Sequence, residues 1–149
     1  MDSDLTVTIC QVPAAGYGEA EWRRLVGHVG ERESDLVVLP EMPFHRWLAS
    51  SEAVDVDEWD AAVAAHDEWI GRLDELAPAA VASSRPVTRG GTRLNEGFVW
   101  EPDAGYRAAH HKAHLPDDPG FWEASWYDAG PETFDPVPVA GVSAGFLIC

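Results

Sequence analysis

Three residues that lie far apart in the sequence have side chains suited to attack on a carbonyl-type carbon. Lys112 is the only lysine among 149 residues, and nine arginines supply the other permanent positive charges. An ammonium is a compact point charge with three donors, whereas a guanidinium is a planar fork. The use of lysine at this one position therefore favours a tight pocket in which Lys112 stabilises a developing oxyanion. The alternative is a surface lysine that has survived by chance in a lysine-poor composition.

Glu41 and Cys149 each stand at the end of a short apolar run. The first run is DLVVLPE (35–41) and the second is VSAGFLIC (142–149). Continuous apolar runs of this length, bounded by turn residues, predict interior strands of a sheet that is covered on both faces. Open α/β sheets carry their chemistry at the carboxyl ends of the strands. We therefore expect a carboxylate base, a thiol nucleophile and the ammonium of Lys112 to meet there.

Three motifs in this order resemble the carbon–nitrogen hydrolases of the nitrilase superfamily, which use a Glu–Lys–Cys triad. They are Leu39-Pro40-Glu41, Lys112-Ala113-His114-Leu115-Pro116 and Gly145-Phe146-Leu147-Ile148-Cys149. The segment KAHLPDDPGFWE (112–123) is most similar to the subgroup that hydrolyses N-carbamoyl amines and related linear amides. The two residues that follow it, Ala124 and Ser125, depart from the basic and aromatic residues usual there, and this leaves the choice of substrate open.

The resemblance implies a role for each residue of the site. Glu41 is expected to be the base, Lys112 the cation that holds the thiolate and the oxyanion, and Cys149 the nucleophile. Glu123 matches a second glutamate of the family, which orients the lysine and assists proton transfer; the alternative for Glu123 is a solvated loop carboxylate. The expected enzyme needs no cofactor and no metal, acts on a small amide or carbamoyl substrate, and forms homo-oligomers at full length.

The resemblance also implies an α/β fold, a four-layer α-β-β-α sandwich. Family members continue well beyond the nucleophile, so we expect residues 1–149 to be the N-terminal part of a single domain, incomplete at its C-terminus. Such a half-sheet would leave an unpaired apolar edge and an uncovered face. The alternative function is therefore a catalytically inactive truncated or split protein that pairs with a partner or with a missing C-terminal half.

Histidines 110, 111 and 114 surround the lysine and could suggest a zinc site. His110 and His114 would share a face only on a helix, whereas residues 106–111 read as extended and Pro116 follows closely. The nearby sequence also has no cysteine pair. The pattern therefore favours a hydrolase without a metal.

Composition excludes several other classes of protein. The net charge is −16, from 26 acidic residues against 10 basic ones, which disfavours binding to nucleic acid or to an anionic membrane. A strongly acidic, lysine-poor surface is consistent with adaptation to high salt. Two cysteines, Cys10 and Cys149, do not suggest a disulfide framework. Without a recognisable signal peptide or a long apolar run, the expected location is cytoplasmic.

The remaining elements follow from hydrophobic periodicity and turn residues. Strands are expected at 5–12, 35–40 and 79–83, helices at 19–32 and 57–77, a turn at 88–92, and a β-hairpin from 96–100 and 106–111. His66 falls near the apolar stripe of the second helix and is expected to be a packing residue. The opening β-α-β order favours a parallel strand pair.

Overall fold

A computed structural model describes residues 4–148 of the chain. The elements follow one another as strand β1 (Val7–Ile9), helix α1 (Glu19–Arg32), strand β2 (Leu36–Val38), helix α2 (Val56–Ile70), strands β3 (Ala80–Arg89), β4 (Thr92–Glu101) and β5 (Gly105–His111), helix α3 (Glu123–Trp126), and strands β6 (Val137–Val139) and β7 (Val142–Ala144). Two short 3₁₀ helices, Leu48–Ser50 and Leu73–Leu76, flank α2.

Five strands form one mixed sheet in the order β1-β2-β3-β4-β5. The pairs β1–β2 and β2–β3 are parallel, because α1 and α2 return the chain to the same edge before each new strand begins. The pairs β3–β4 and β4–β5 are antiparallel hairpins. The carboxyl end of β2 thus lies beside β3 in the interior of the sheet, which is where the sequence placed Glu41.

The sheet alternates its side chains between two apolar layers, as the two-residue period of a strand requires. One face packs against α1 and the 3₁₀ helix 73–76; the residues buried there include Trp22, Leu25, Val29, Val37, Leu73, Val81 and Phe98. The other face packs against the two-stranded sheet β6–β7 through Leu36, Ala80, Ala82, Val99 and Val139. Helices on one face and a second sheet on the other confirm the predicted α/β class.

Several predicted elements are confirmed, with changed bounds. α1 covers the residues expected, and His66 is fully buried among packing residues. α2 ends at Ile70 rather than at residue 77, because Gly71 follows it and a 3₁₀ turn replaces the last helical residues. The predicted turn shortens to Gly90 and Gly91, both with positive φ. β3 and β4 therefore form a hairpin of two long strands joined by a two-residue turn.

The prediction for residues 142–149 is wrong in its details. Among the described residues of this run, 142–148, only Val142–Ala144 is a strand; it pairs antiparallel with β6 and is half exposed instead of lying inside the main sheet. The reason is a tight turn at Ala140 and Gly141, both with positive φ, which folds this segment back on the strand just before it. Leu147 is 84% exposed.

Among residues 4–148, no helix has the length and apolar character that crossing a membrane would require.

Candidate active site

Glu41 is held by a backbone turn at the carboxyl end of β2. The hydroxyl of Ser83 donates to the carbonyl of Pro40 at 3.1 Å, and the Met42 amide donates to the hydroxyl of Ser84 at 3.3 Å. Met42 has a φ of 52°, in the left-handed region that non-glycine residues adopt at a cost. The two serines of β3 thus fix the backbone on both sides of Glu41.

Lys112 follows directly after β5, and its backbone is held on both sides. Its amide donates to the carbonyl of Asn95 at 2.9 Å, and its carbonyl accepts from the amide of Gly130 at 2.9 Å. Its side chain is 3% exposed, and Nζ lies 3.1 Å from Oε1 of Glu41 and 2.6 Å from Oε2 of Glu123. The structure therefore brings together three of the four predicted site residues.

Glu123 is the first residue of α3, a one-turn helix that is tied to Ala49 at its start and closed by its own hydrogen bond at its end. The amide of Trp122 donates to the carbonyl of Ala49 at 2.8 Å, and the amide of Tyr127 donates to the carbonyl of Glu123 at 2.8 Å. Glu123 is buried, which rules out the alternative of a solvated loop carboxylate.

The pKa values of Lys112 and Glu123 are shifted by burial and by the two carboxylates that share one ammonium. Burial disfavours the ammonium of Lys112, but the contact with Glu123 and the charges of both glutamates outweigh burial and raise the pKa of Lys112. Burial raises the pKa of Glu123, and the negative charge of Glu41 adds to this effect against the stabilising influence of Lys112. The lysine therefore remains an ammonium, while Glu123 is poised to hold a proton more readily than an exposed glutamate.

Two further residues of the site were missed from the sequence. Asn95 on β4 is buried, and its Nδ2 donates to Oε1 of Glu41 at 2.7 Å. It is the only asparagine in the chain, the same kind of compositional clue that identified Lys112. The buried hydroxyl of Tyr127 contacts Sδ of Met42 at 3.6 Å, and burial, reinforced by the charges of Glu41 and Glu123, raises its pKa. The sequence offers no comparable clue to Tyr127.

Cys149 lies outside the described residues. The segment that leads to it lines two cavities: one of about 320 Å³ beside Glu41 and one of about 700 Å³ beside Lys112. Leu147 and Ile148 border both cavities. The last described residues therefore lie beside both Glu41 and Lys112.

The three histidines near Lys112 have other partners. Nδ1 of His110 contacts the carbonyl of Thr133 at 3.1 Å, Nε2 of His111 contacts Glu96 at 2.7 Å, and His114 stacks on Phe134. Residues 105–111 form a strand, so His110 does not lie on a helical face that it could share with His114. Within the part of the chain that the structure describes, no group of three or more metal-ligating side chains occurs.

Comparison with known proteins identifies a family and a fold. The family model described as carbon–nitrogen hydrolase matches residues 6–149. No curated protein sequence matches the chain. Among solved structures, a carbon–nitrogen hydrolase from Helicobacter pylori G27 is 23% identical with a TM-score of 0.69, over 89% of this chain and 47% of that one.

Two other solved structures have the same fold at lower identity. An amidase mutant from Nesterenkonia sp. AN1 is 15% identical with a TM-score of 0.72, over 95% of this chain and 54% of that one. A glutamine-dependent NAD+ synthetase from Acinetobacter baumannii is 16% identical with a TM-score of 0.69, over 93% of this chain and 26% of that one. The chain thus spans about half the length of the first two structures.

Proposed function

The chain belongs to the carbon–nitrogen hydrolase family, and from that premise we propose that its protein hydrolyses non-peptide carbon–nitrogen bonds through Glu41, Lys112, Glu123 and Cys149. One observation carries the proposal: two buried or half-buried carboxylates converge on the only lysine of the chain, at 3.1 Å and 2.6 Å. Such a cluster costs desolvation energy that structural packing alone would not require. Strongly coupled titratable groups beside a cavity are typical of catalytic sites.

In the first step, the carboxylate of Glu41 takes the proton from the thiol of Cys149. The sulfur attacks the substrate carbonyl carbon, a C–S bond forms, and the carbonyl oxygen becomes an oxyanion beside the ammonium of Lys112. The tetrahedral intermediate then collapses, the C–N bond breaks, and the leaving nitrogen receives a proton from a glutamic acid of the site. Ammonia leaves, and a thioester remains on the enzyme.

In the second step, water replaces ammonia. A carboxylate of the site takes one proton of the water as its oxygen attacks the thioester carbon. The C–S bond breaks, the thiol regains a proton, and the acid product leaves. A carbamoyl substrate would release carbon dioxide, ammonia and an amine instead of a simple acid and ammonia.

The substrate we propose is a linear amide or an N-carbamoyl amine. The similarity of residues 112–123 to the subgroup that hydrolyses N-carbamoyl amines supports a carbamoyl substrate. The Nesterenkonia amidase supports linear amides and a cysteine nucleophile, since one of its mutants carries the acetamide moiety of fluoroacetamide covalently bound at the active-site cysteine. The family match and the intact lysine–carboxylate cluster favour the hydrolase over a non-catalytic pairing protein.

The test is ammonia release by the full product of the gene from a linear amide, such as propionamide, and from an N-carbamoyl amine. We expect turnover with at least one of them, and a loss of at least about a hundredfold in Cys149→Ala and in Lys112→Arg. Cys10→Ala is the matched control, because Cys10 directly follows β1 and packs against the helix-facing core, and its removal should leave turnover unchanged. Parental turnover in Cys149→Ala or Lys112→Arg would refute the role assigned to that residue.

A further inference from the structure

We infer that Asn95 is a positioning residue that decides which oxygen of Glu41 receives the proton of the nucleophile. This inference deepens the proposed function and rests on it. In this role Asn95 acts by positioning Glu41 and Lys112, and it does not contact the substrate.

Asn95 holds the base and the cation in one frame. Its side-chain Nδ2 donates to Oε1 of Glu41 at 2.7 Å, while its backbone carbonyl accepts from the amide of Lys112 at 2.9 Å. Glu41 and Lys112 are 71 positions apart in the chain and follow different strands, β2 and β5. A single residue in the middle of β4 therefore sets the position of one residue relative to the other.

The two donors to Glu41 converge on the same oxygen. Oε1 accepts from Nδ2 of Asn95 and from Nζ of Lys112, whereas Oε2 accepts no hydrogen bond from any residue between 4 and 148. Hydrogen bonds to a carboxylate oxygen stabilise its negative charge and make that oxygen a poorer proton acceptor. Oε2 is left as the free acceptor, and Glu41 lines the cavity that the last described residues border.

The other end of the Asn95 amide argues against a role in stability alone. Asn95 is 1% exposed, and its Oδ1 has no hydrogen-bond partner among the described residues. A buried carbonyl without a partner is unfavourable, and most buried polar atoms in folded proteins are paired. A residue selected only for packing at this position would be apolar; the amide is explained by the donor that it presents to Glu41.

The decisive variant is Asn95→Asp, which keeps the size of the side chain and replaces the donor by a second carboxylate. A like charge next to Glu41 disfavours its ionised form, so the acid side of the pH profile should move to higher pH by about one unit or more. The readout is the rate at which iodoacetamide alkylates Cys149, followed by peptide mass spectrometry in the full product of the gene between pH 5 and 9. Cys10, in the same sample, is the reference thiol.

Asn95→Ser is the second variant, for the case in which Asn95→Asp does not fold; tryptophan fluorescence and urea unfolding report folding in both. Serine withdraws the long amide donor without adding charge, so it should also shift the profile to higher pH and slow alkylation at pH 6 about tenfold. An unshifted profile in either folded variant would overturn the inference. If the parental Cys149 reacts no faster than Cys10 at any pH, the proposed function fails instead, so the two failures are distinguishable.

Discussion

Nζ of Lys112 lies 2.6 Å from Oε2 of Glu123, and both side chains are almost completely withdrawn from solvent. With Glu41 also in contact with the ammonium, two carboxylates share one positive charge. One ammonium cannot balance both carboxylates, and burial disfavours the charged form of Glu123. Burial, together with the charge of Glu41, therefore raises the pKa of Glu123. The two carboxylates therefore have different surroundings. Glu41 lines a cavity, whereas Glu123 is buried in contact with the ammonium of Lys112.

Glu123→Gln should preserve the shape of the site and remove the strongest partner of Lys112. We expect turnover to fall by about a hundredfold or more, because the ammonium loses its alignment and a proton donor is removed. Ammonia release measures the loss, and thermal unfolding checks that the protein remains folded. Glu52→Gln, at an exposed position, is the matched control and should retain parental turnover. Full activity in Glu123→Gln would show that Glu41 alone is enough to orient the lysine.

Ser84→Ala should disturb the turn that carries Glu41. The hydroxyl accepts from the amide of Met42, whose left-handed φ has to be held in place. Its loss leaves a buried amide without that partner and should reduce the free energy of unfolding by about 1–2 kcal/mol. In an assay of ammonia release, kcat should fall more than KM rises, because the base moves while the cavity remains.

Urea unfolding and steady-state kinetics measure these two effects. Ser51→Ala is the matched control, since its hydroxyl bonds only to the carbonyl of Ala53 at the surface, and it should change neither quantity. If Ser84→Ala unfolds like the parent, the turn is fixed by Ser83 and by packing alone.

Glu96 forms a buried charge cluster on the helix-facing side of β4. Burial raises its pKa, but hydrogen bonds from Arg89, Tyr106 and His111 outweigh burial, and the pKa of Glu96 falls to about 2. Glu96→Ala should cost about 3–5 kcal/mol in the free energy of unfolding, since the remaining partners lose their buried anion. Urea unfolding at pH 7 measures this cost, and Glu132→Ala at an exposed position is the control.

The same shift predicts a dependence on pH. A carboxyl whose pKa is lower in the folded state contributes stability above its unfolded pKa of 4.5, and this contribution is lost as the pH falls from 4.5 toward 2. Glu96→Gln should therefore show a smaller loss of stability than the parent between pH 5 and pH 3. An equal loss in the two proteins would mean that Glu96 is not the group responsible.

Much of the fold was predictable because it depends on local patterns. The 3-and-4 spacing of Trp22, Leu25 and Val29 gives α1, and the apolar run before Glu41 gives β2. The end of β3 was not predictable to the same degree, since β3 continues past residue 83 through Arg85, which is buried in an ion pair with Asp67 of α2. Polar residues of this kind appear in a sequence as loop or surface positions.

The site divides in the same way. Glu41, Lys112 and Glu123 were predictable because their motifs resemble a family and because lysine occurs once in the chain. Asn95 and Tyr127 were missed, because single occurrence alone assigns no role to Asn95 and because the contacts of both residues arise from strand pairing and from the packing of α3. The catalytic roles of Glu41, Lys112, Glu123 and Cys149 stay predictions, and so does the extent of the domain.

His66 supplies a pH test of the loop that follows Glu41. Its Nε2 accepts from the amide of Phe44 at 3.3 Å, so Nδ1 carries the proton and donates to the carbonyl of Ala62 at 2.7 Å. Burial lowers the pKa of His66 from 6.5 to about 4, against the opposing effect of the Ala62 carbonyl. A proton on Nε2 would break the contact with Phe44.

The unfolded chain binds this proton below pH 6.5 and the folded chain only near pH 4, so stability should decline as the pH falls through that interval. His66 alone accounts for about 3 kcal/mol of the decline, at about 1.4 kcal/mol for each pKa unit. His66→Gln retains a donor and an acceptor but does not titrate, and should flatten the curve by that amount in urea unfolding at pH 7, 5.5 and 4. His28→Gln on the exposed side of α1 is the matched control and should follow the parent. Parallel curves for the parent and His66→Gln would show that His66 binds its proton equally well in the folded and unfolded chains, and the loop after Glu41 would then have to be held by Ser83 and Ser84 instead.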